Sequence, residues 1–485
     1  MKINEKHKQM KKQRPIRVLQ FGEGNFLRGF IDYGIDVANE KLGFNGDVAI
    51  IKARPGSLER FHAQDNMYTV ALRGIKNGKV CEEDRIITCV QKTLGSTEDY
   101  DAFMKLAELD TLEFVISNTT EAGIVYEDTD QIEDRPPKTY PAKLTKFLYE
   151  RFTFYNGAKD KGLTILPVEL IEKNGENLKQ CVLQYTKRWQ LGEPFEKWLE
   201  TANLFAGTLV DRIITGYPKT ETTALTKKWG YEDNLIVMGE PFGLWVIGDA
   251  RVEKQLKISS HALTVEFTNE LEKYKERKVR ILNGAHTSMV LGAYLAGKNY
   301  VRECMEDPVI RKQIETTVLG EIVPTVHMAK EKAEEFARFV FERFENPFVR
   351  HALLSIALNS VSKWKVRVLP TLKDIYARDG KLPKNLTFSF AAFAAFYRTS
   401  KMQDGYLIGT RGSETYKISD DKEAMKFFCN NADKPTAEYA ALLAGNIAFW
   451  GEDLTKLPGF LETTIKNLKS IEKNGMMKTI ETLAK

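Results

Sequence analysis

Short apolar runs and amphipathic stretches alternate along the first ~250 residues. Ile16–Phe21 (IRVLQF) and Asp47–Lys52 (DVAIIK) read as strands, as do 85–90, 112–117, 163–170, 208–213 and 235–237. Helical periodicity appears after residue 30, through Ile35 and Val37 to Ala38, and again over 142–154 and 176–189, while 133–141 is a proline-rich loop. From about residue 270 the pattern changes. The segments 271–295, 308–319, 324–344, 348–366, 385–398, 422–428, 436–448 and 457–474 all read as helices, and strand-like runs become few. The expectation is an α/β chain of two domains. A Rossmann-type dinucleotide-binding domain covers 1–268, and a mostly α-helical substrate and catalytic domain covers 269–485. No internal repeat or low-complexity tract interrupts either part.

The first strand runs straight into Gly22-Glu23-Gly24-Asn25-Phe26-Leu27-Arg28-Gly29, and a helix and the second strand follow. This is a βαβ unit of the size that binds dinucleotides. Glycine is needed there because a pyrophosphate must lie against backbone N–H groups at a helix N-terminus, where a Cβ would hold it off. Gly22 and Gly24 supply the GxG. The third glycine of GxGxxG would fall on Leu27, and Gly29 comes two positions later. A glycine turn that only lets a helix pack on a sheet is the competing reading. The second strand lacks the acidic residue that holds an adenosine ribose and ends instead in Lys52, Ala53, Arg54 and Pro55. That basic pair suits the extra phosphate of NADP, unless Arg54 simply faces water. The strand over 112–117 ends in the polar loop 118–123, which opens with Asn118 and Thr119. Doubly wound sheets place ligands at such loops.

A second chemical cluster opens the helical domain. Residues 278–286 read KVRILNGAH. At about 100° per helical residue, Asn283 and His286 share a face, with Lys278 to one side of it and within reach. An amine, an amide and an imidazole brought to one point are suited to moving a proton on and off an alcohol oxygen. On spacing alone, three solvated polar residues on a helix remain the simpler reading.

Composition narrows the class. The chain has 485 residues, 43% hydrophobic and 28% charged, with a net charge of +5, as expected of an ordinary soluble globular protein. That balance gives no concentrated basic face for nucleic acid. The basic cluster over residues 2–17 is expected to be a solvated N-terminal arm, not a signal peptide. No apolar run reaches the ~18 residues a membrane span needs. Five scattered cysteines without a CxxC pair fit reduced thiols in a cytoplasmic protein, and six scattered histidines without an HExxH give no metal site.

Taken together, the glycine turn GxGxFxRG at 22–29, the VDRI segment Val210-Asp211-Arg212-Ile213 and K-x4-N-x2-H at 278–286 resemble the polyol-specific long-chain dehydrogenases, the mannitol dehydrogenase family. The order of these marks covers nearly the whole chain. The resemblance implies metal-independent hydride transfer with Lys278 as acid and base, and Asn283 and His286 polarising the substrate oxygen. It implies substrate contacts from Asn174 and Asp211. It also implies a cofactor site of Phe21, Gly22, Gly24, Asn25, Phe26, Arg28, Asn118 and Thr119. The phrases LQFGEGNFLRGF, TLVDRI, ITGYP and LSIALNSVSKWKVRVLP are similar to the branch that reduces the keto acid D-tagaturonate to D-altronate with NADH in hexuronate breakdown. NAD is therefore the expected cofactor, with NADP not excluded.

One departure bears on the substrate. Polyol members carry an arginine and a lysine eight apart on a helix of the second domain. The lysine matches Lys363, but the arginine position is Ser355. This chain adds Lys365 and Arg367, and an arginine fork can hold a carboxylate that a polyol does not possess. Lys363, Lys365 and Arg367 are the expected carboxylate end, with at least one of them pointing elsewhere and Lys363 and Arg367 the expected substrate contacts. An exposed basic helix face is the alternative. Other readings are a fructuronate reductase or mannitol-type dehydrogenase, a non-catalytic nucleotide sensor, and a zinc-dependent alcohol dehydrogenase. The intact trio argues against the sensor, and the absent Cys and His clusters argue against zinc. The expected partner is a small sugar acid, without nucleic acid or membrane; oligomeric state is not legible.

Overall fold

The computed structural model describes residues 1–120, 122–256, 258 and 263–483. It divides into two compact units, Met1–Leu271 and Glu272–Lys485. Glu121, in the loop expected to meet ligand, lies outside the described residues.

Six strands of the first unit form one parallel sheet in the order Val90–Gly95, Asp47–Lys52, Ile16–Phe21, Phe114–Ser117, Thr164–Pro167, Leu204–Phe205. Numbered along the chain this is 3-2-1-4-5-6, the doubly wound order that reverses direction between the first and fourth strands. The runs are apolar at consecutive positions because both faces are covered. Val18, Val48, Ile50, Phe114 and Ile116 enter one core. Leu19, Phe21, Ala49, Ile51 and Val115 enter the other.

Two smaller sheets complete the unit: Ile214–Gly216, Val237–Gly239, Tyr68–Lys76 and Lys79–Ile87, and Thr264–Phe267, Leu244–Ile247 and Thr208–Asp211. The apolar run over 85–90 is not one strand. Its first half ends the strand Lys79–Ile87, and its last residue opens Val90–Gly95 in the other sheet. The break is held by a buried carboxylate. Asp36 Oδ2 accepts from Thr88 N (2.7 Å), Thr88 Oγ1 (3.0 Å) and Cys89 N (3.1 Å), doing what a neighbouring strand would otherwise do. The N-terminal arm is also not simply solvated. Ile3 is fully buried with Met67 and Tyr231, and Arg14 pairs with Asp47 at 3.1 Å.

The second unit is helical apart from a three-stranded sheet of Met402–Gln403, Tyr406–Arg411 and Glu414–Ile418. Its centre is the helix Lys384–Tyr397, apolar on every side and buried along almost its whole length. Around it Trp364, Phe393, Phe460 and Trp450 lie within 4.8–5.8 Å of Phe390 or of one another. The helical pattern over 348–366 is broken. Leu353–Ile356 and Ser360–Arg367 are separate helices, divided where Asn359 takes a left-handed φ of 55°.

Candidate active site

The glycine turn lies where the parallel sheet reverses. Gly22 has a φ of +118°, and a Cβ there would stand 3.1 Å from the Asn118 carbonyl, so the ends of the first and fourth strands meet only over a glycine. Gly24 precedes the helix, and nothing lies within 4 Å of where its Cβ would be. This is an open cradle at a helix N-terminus, which fits a pyrophosphate. The helix that follows is α-helical at Asn25–Leu27, π-helical at Arg28–Asp32 and α-helical again at Tyr33–Lys41. A Cβ on Gly29 would meet Ile214 Cδ1 at 2.8 Å and Val237 Cγ1 at 2.9 Å. Gly29 thus has the close-packing role of the missing third glycine.

Not every residue of this motif faces ligand. The Phe21 side chain is in the core beside Phe103 and Tyr140. Arg28 is buried. Its guanidinium donates to Glu23 O (3.0 Å), Leu235 O (2.6 Å) and Asn25 Oδ1 (2.6 Å), between the rings of Phe61 and Tyr68. These bonds brace the turn. Asp32, at the end of the π turn, accepts from Tyr68 Oη at 2.6 Å, and burial pushes its pKa up to about 7.

Two cavities occupy the C-terminal edge of the sheet. One, of about 590 Å³, is lined by Arg54, Thr97, Thr119, Thr139, Tyr140 and Lys143 among others. The other, of about 480 Å³, is lined by Phe26, Asn118, Val168, Leu170 and Val210. Thr120 and Ala122 line both. Thr120 holds a φ of 102°, a strained value for a β-branched residue. The two spaces lie at the strand ends where a doubly wound sheet places a dinucleotide, and Asn118 lines the second. Lys143 went unread in the sequence. It is buried in the first cavity, its Nζ bonds the Lys138 carbonyl at 2.6 Å, and burial lowers its pKa to about 8. A lysine on the buried face of the periodic helix 142–154 was the available signal. Lys52, one of the two basic residues after the second strand, pairs with Glu23 at 2.5 Å, while Arg54 lines the larger cavity.

The loops at this edge are tied together by buried polar groups. Glu169 accepts from Thr119 N (2.9 Å), Thr119 Oγ1 (3.0 Å) and Ser117 Oγ (3.1 Å). Asn174 is 2% exposed. Its Nδ2 donates to the carbonyls of Pro167, Glu169 and Thr208, each at 3.1 Å, and its Oδ1 accepts from Gly175 N and Thr208 N, each at 2.9 Å. With its amide committed to the backbone, Asn174 fixes the loop after the fifth strand and offers nothing to substrate. Asp211 ends the strand Thr208–Asp211 and is buried. Its neighbour Arg212 donates to the carbonyls of Gly29 (2.9 Å), Pro241 (3.0 Å) and Phe242 (2.9 Å). The VDR segment thereby anchors the π turn of the cofactor helix.

In the second unit, the helix over 271–295 also contains a π turn, and it coincides with the motif. Leu271–Arg277 is α-helical, Lys278–Asn283 is π-helical and Gly284–Leu295 is α-helical. A π turn closes i→i+5 hydrogen bonds, here Gly284 N to Val279 O. Residues five apart stack over one another in such a turn. Lys278 and Asn283 therefore come onto one side, closer together than α-helical spacing predicts, and His286 follows three residues on. Lys278 and Asn283 are both partly exposed.

His286 sits in a ring cage. Its imidazole centroid is 4.4 Å from Phe344 at 32° and 5.3 Å from His351 at 77°. Its Nε2 is out of solvent contact with no hydrogen-bond partner among the described residues. Burial, and then the charges of His351, Arg343, Arg367 and Lys363, hold its pKa well below the usual imidazole value. His286 is thus neutral at physiological pH and has one N–H to donate.

The helix Ser360–Arg367 sets the cations. Trp364 is buried against Trp450 and donates from Nε1 to Ser389 Oγ at 3.1 Å, which fixes the helix's rotation. Asp420 accepts from Val361 N (3.1 Å) and holds the helix start. Lys363 and Arg367, one turn apart, share the side that acts on His286. The Lys363 amine also donates to Ile356 O at 2.9 Å. Lys365 is on another side, beside Gly451, and is the one that points elsewhere. Ser355 bonds only the local carbonyl of Ala352, at 2.7 Å. Arg343, Phe344 and His351 were not singled out in the sequence, because none falls at a motif spacing.

Known proteins match this arrangement. Residues 16–260 match the mannitol dehydrogenase Rossmann domain and residues 270–472 the mannitol dehydrogenase C-terminal domain. The chain is 41% identical over 483 residues to an altronate oxidoreductase of Klebsiella pneumoniae, covering 97% of both chains. It is 40% identical over 475 residues to one of Bacillus subtilis, covering 97% of this chain and 95% of that one. Among solved structures, a D-sorbitol dehydrogenase in substrate-free form is similar at a TM-score of 0.76 and 20% identity, over 96% of this chain and 95% of the other. A Pseudomonas fluorescens mannitol 2-dehydrogenase, in a ternary complex with NAD and D-mannitol, is similar at 0.64 and 20% identity, over 97% and 94%. No helix of the described residues is long and apolar enough to cross a membrane. Both halves carry the family's own domains, so this chain belongs to the mannitol dehydrogenase family.

Proposed function

We propose that this protein is a nicotinamide-dependent oxidoreductase that reduces the ketone of D-tagaturonate to D-altronate, reversibly and without a metal. The observation that carries the reading is the cationic neighbourhood of the motif helix. The charges of Lys363 and Arg367 both reach His286, which a negatively charged sugar acid explains and a neutral polyol does not. The full-length relatives named altronate oxidoreductase support the same substrate class.

The first unit's residues fit the cofactor: the open backbone at Gly24 for the pyrophosphate, and the two cavities that share Thr120 and Ala122 for the two nucleoside halves. The nicotinamide, when bound, supplies the hydride. NADH is the proposed reductant, because the Lys52 amine is paired with Glu23 instead of being open to a 2′-phosphate. Lys278 gives a proton to the carbonyl oxygen as negative charge grows on it, and takes one back in the oxidative direction. The Asn283 amide and the neutral His286 imidazole donate to the same oxygen, and one such donor is worth on the order of 3 kcal/mol in the transition state. Lys363 and Arg367 hold the substrate carboxylate.

The test is oxidation of NADH and of NADPH with D-tagaturonate, D-fructuronate and fructose side by side. Turnover of tagaturonate with NADH well above the other pairs is expected. A preference for fructose would overturn the sugar-acid reading, and a preference for fructuronate would move the substrate to its epimer.

A further inference from the structure

The ring cage around His286 carries a role for a residue no motif marks. We propose that His351 is a positioning residue, which packs against His286 together with Phe344 and so holds the His286 imidazole in the orientation that donates to the substrate oxygen. The inference rests on the reading of His286 given above.

Three observations support it. First, the two imidazoles meet nearly at right angles, 77°, with centroids 5.3 Å apart, while Phe344 lies against His286 at 32° and 4.4 Å. A ring held by a tilted partner on one side and a perpendicular partner on another cannot turn without a clash. Second, His286 Nε2 makes no hydrogen bond among the described residues to fix the ring. That atom is buried, so orientation falls to packing. Third, His351 itself is anchored by backbone. Its carbonyl accepts from Val301 N at 3.0 Å, the next residue, Ala352, bridges Tyr300, and Leu353 N donates to Asn299 O at 2.8 Å. The His351 ring is carried on a short segment clamped antiparallel to 299–301.

The surrounding charges fit the same role. The groups that face His286 are His351, Arg343 from the helix Lys330–Phe344, and Lys363 and Arg367 from Ser360–Arg367. All are cationic or basic, and His351 is itself held below its usual pKa by burial and by Arg343. Two neutral imidazoles pack against each other there without repulsion, and removing one opens the other to solvent.

The experiment is a double-mutant cycle on kcat with tagaturonate and NADH, using His351→Ala, His286→Ala and both together. A pair coupled through one function is non-additive. His351→Ala is expected to lower kcat about 10- to 100-fold with KM little changed, since displacing one donor costs at most what that donor is worth. In the His286→Ala background the same change should cost less than about 2-fold. His351→Phe, which keeps a ring at the position, should restore most of kcat. In an NMR titration the His286 ring should move up toward the ordinary imidazole range of about 6.5 in His351→Ala, and stay low in His351→Phe. An equal loss in both backgrounds would overturn the proposal, as would a rise in KM with kcat kept, which belongs to a substrate contact. An unchanged kcat in His286→Ala would instead overturn the reading of the oxygen-polarising site, and this proposal with it.

Discussion

Two helices of this molecule carry a π turn inside a sequence motif, and they use it in opposite ways. In Arg28–Asp32 all five residues are buried. The widened turn lets Gly29 lie on Ile214 and Val237, and it buries Arg28 against backbone carbonyls and Asp32 against the Tyr68 hydroxyl. In Lys278–Asn283 only Ile281 and Leu282 are buried, and the polar residues at the two ends are left to act. One turn spends its irregular backbone on packing a glycine loop. The other carries the partly exposed Lys278 and Asn283 at its two ends. A π turn marks an irregularity worth keeping; burial decides what it is kept for.

That contrast can be broken in a definite order. Lys278→Ala should lower turnover by about 10²- to 10⁴-fold, the range for a lost general acid, with NADH affinity and unfolding midpoint near the parent's. Stopped-flow turnover beside cofactor fluorescence titration checks it, and near-normal turnover would return the exposed π turn to a structural role. Next, Arg367→Ala should raise KM for uronate keto acids about 10- to 100-fold and leave neutral ketoses unaffected, while Lys365→Ala, on the other side of that helix, changes neither. Equal losses on charged and neutral substrates would remove the carboxylate role.

On the buried turn the effects should appear in stability. Gly29→Val forces a branched side chain against Ile214 and Val237, and should cost about 1–3 kcal/mol in urea unfolding. The other effect on the buried turn concerns Asp32 and shows as a dependence on pH. Its folded-state pKa is about 7, above the ordinary carboxylate value of 3.8. The folded protein therefore holds this proton more tightly than the unfolded chain between those values. The stability it contributes is complete below about pH 4 and is lost as pH rises toward 7. Asp32→Asn should flatten that decline, so the parent and variant curves converge or cross between pH 5 and 8. Parallel curves would show that Asp32 titrates normally.

Much of this was legible in the chain. Consecutive apolar runs read as strands because a doubly wound sheet is buried on both faces, and the glycine turn stands where its strand–turn–helix context put it. What failed did so for physical reasons. Motif residues were assigned to cofactor by adjacency, but Phe21 and Arg28 face the core and the backbone. Asn174 was assigned to substrate, but five backbone bonds absorb its amide. Periodicity at 3.6 residues cannot register a π turn, so Lys278–Asn283 read as plain α-helix. The cage of Phe344 and His351 comes from segments some sixty residues away in the chain, a distance at which no local pattern operates. The break after Ile87 depends on a carboxylate from another helix, Asp36, and the apolar run ignores it.

The cavities that share Thr120 and Ala122 have a consequence for chemistry applied from outside. If they seat the two halves of a dinucleotide as proposed above, a small compound can occupy one while the other stands open. Two weak occupants joined across Thr120 would gain from effective concentration, since the second no longer has to be recruited from solution. The strained residue between the cavities is thus also the point a linker must cross. Its length and bend, more than added contacts, would decide how well a bivalent inhibitor of this enzyme binds.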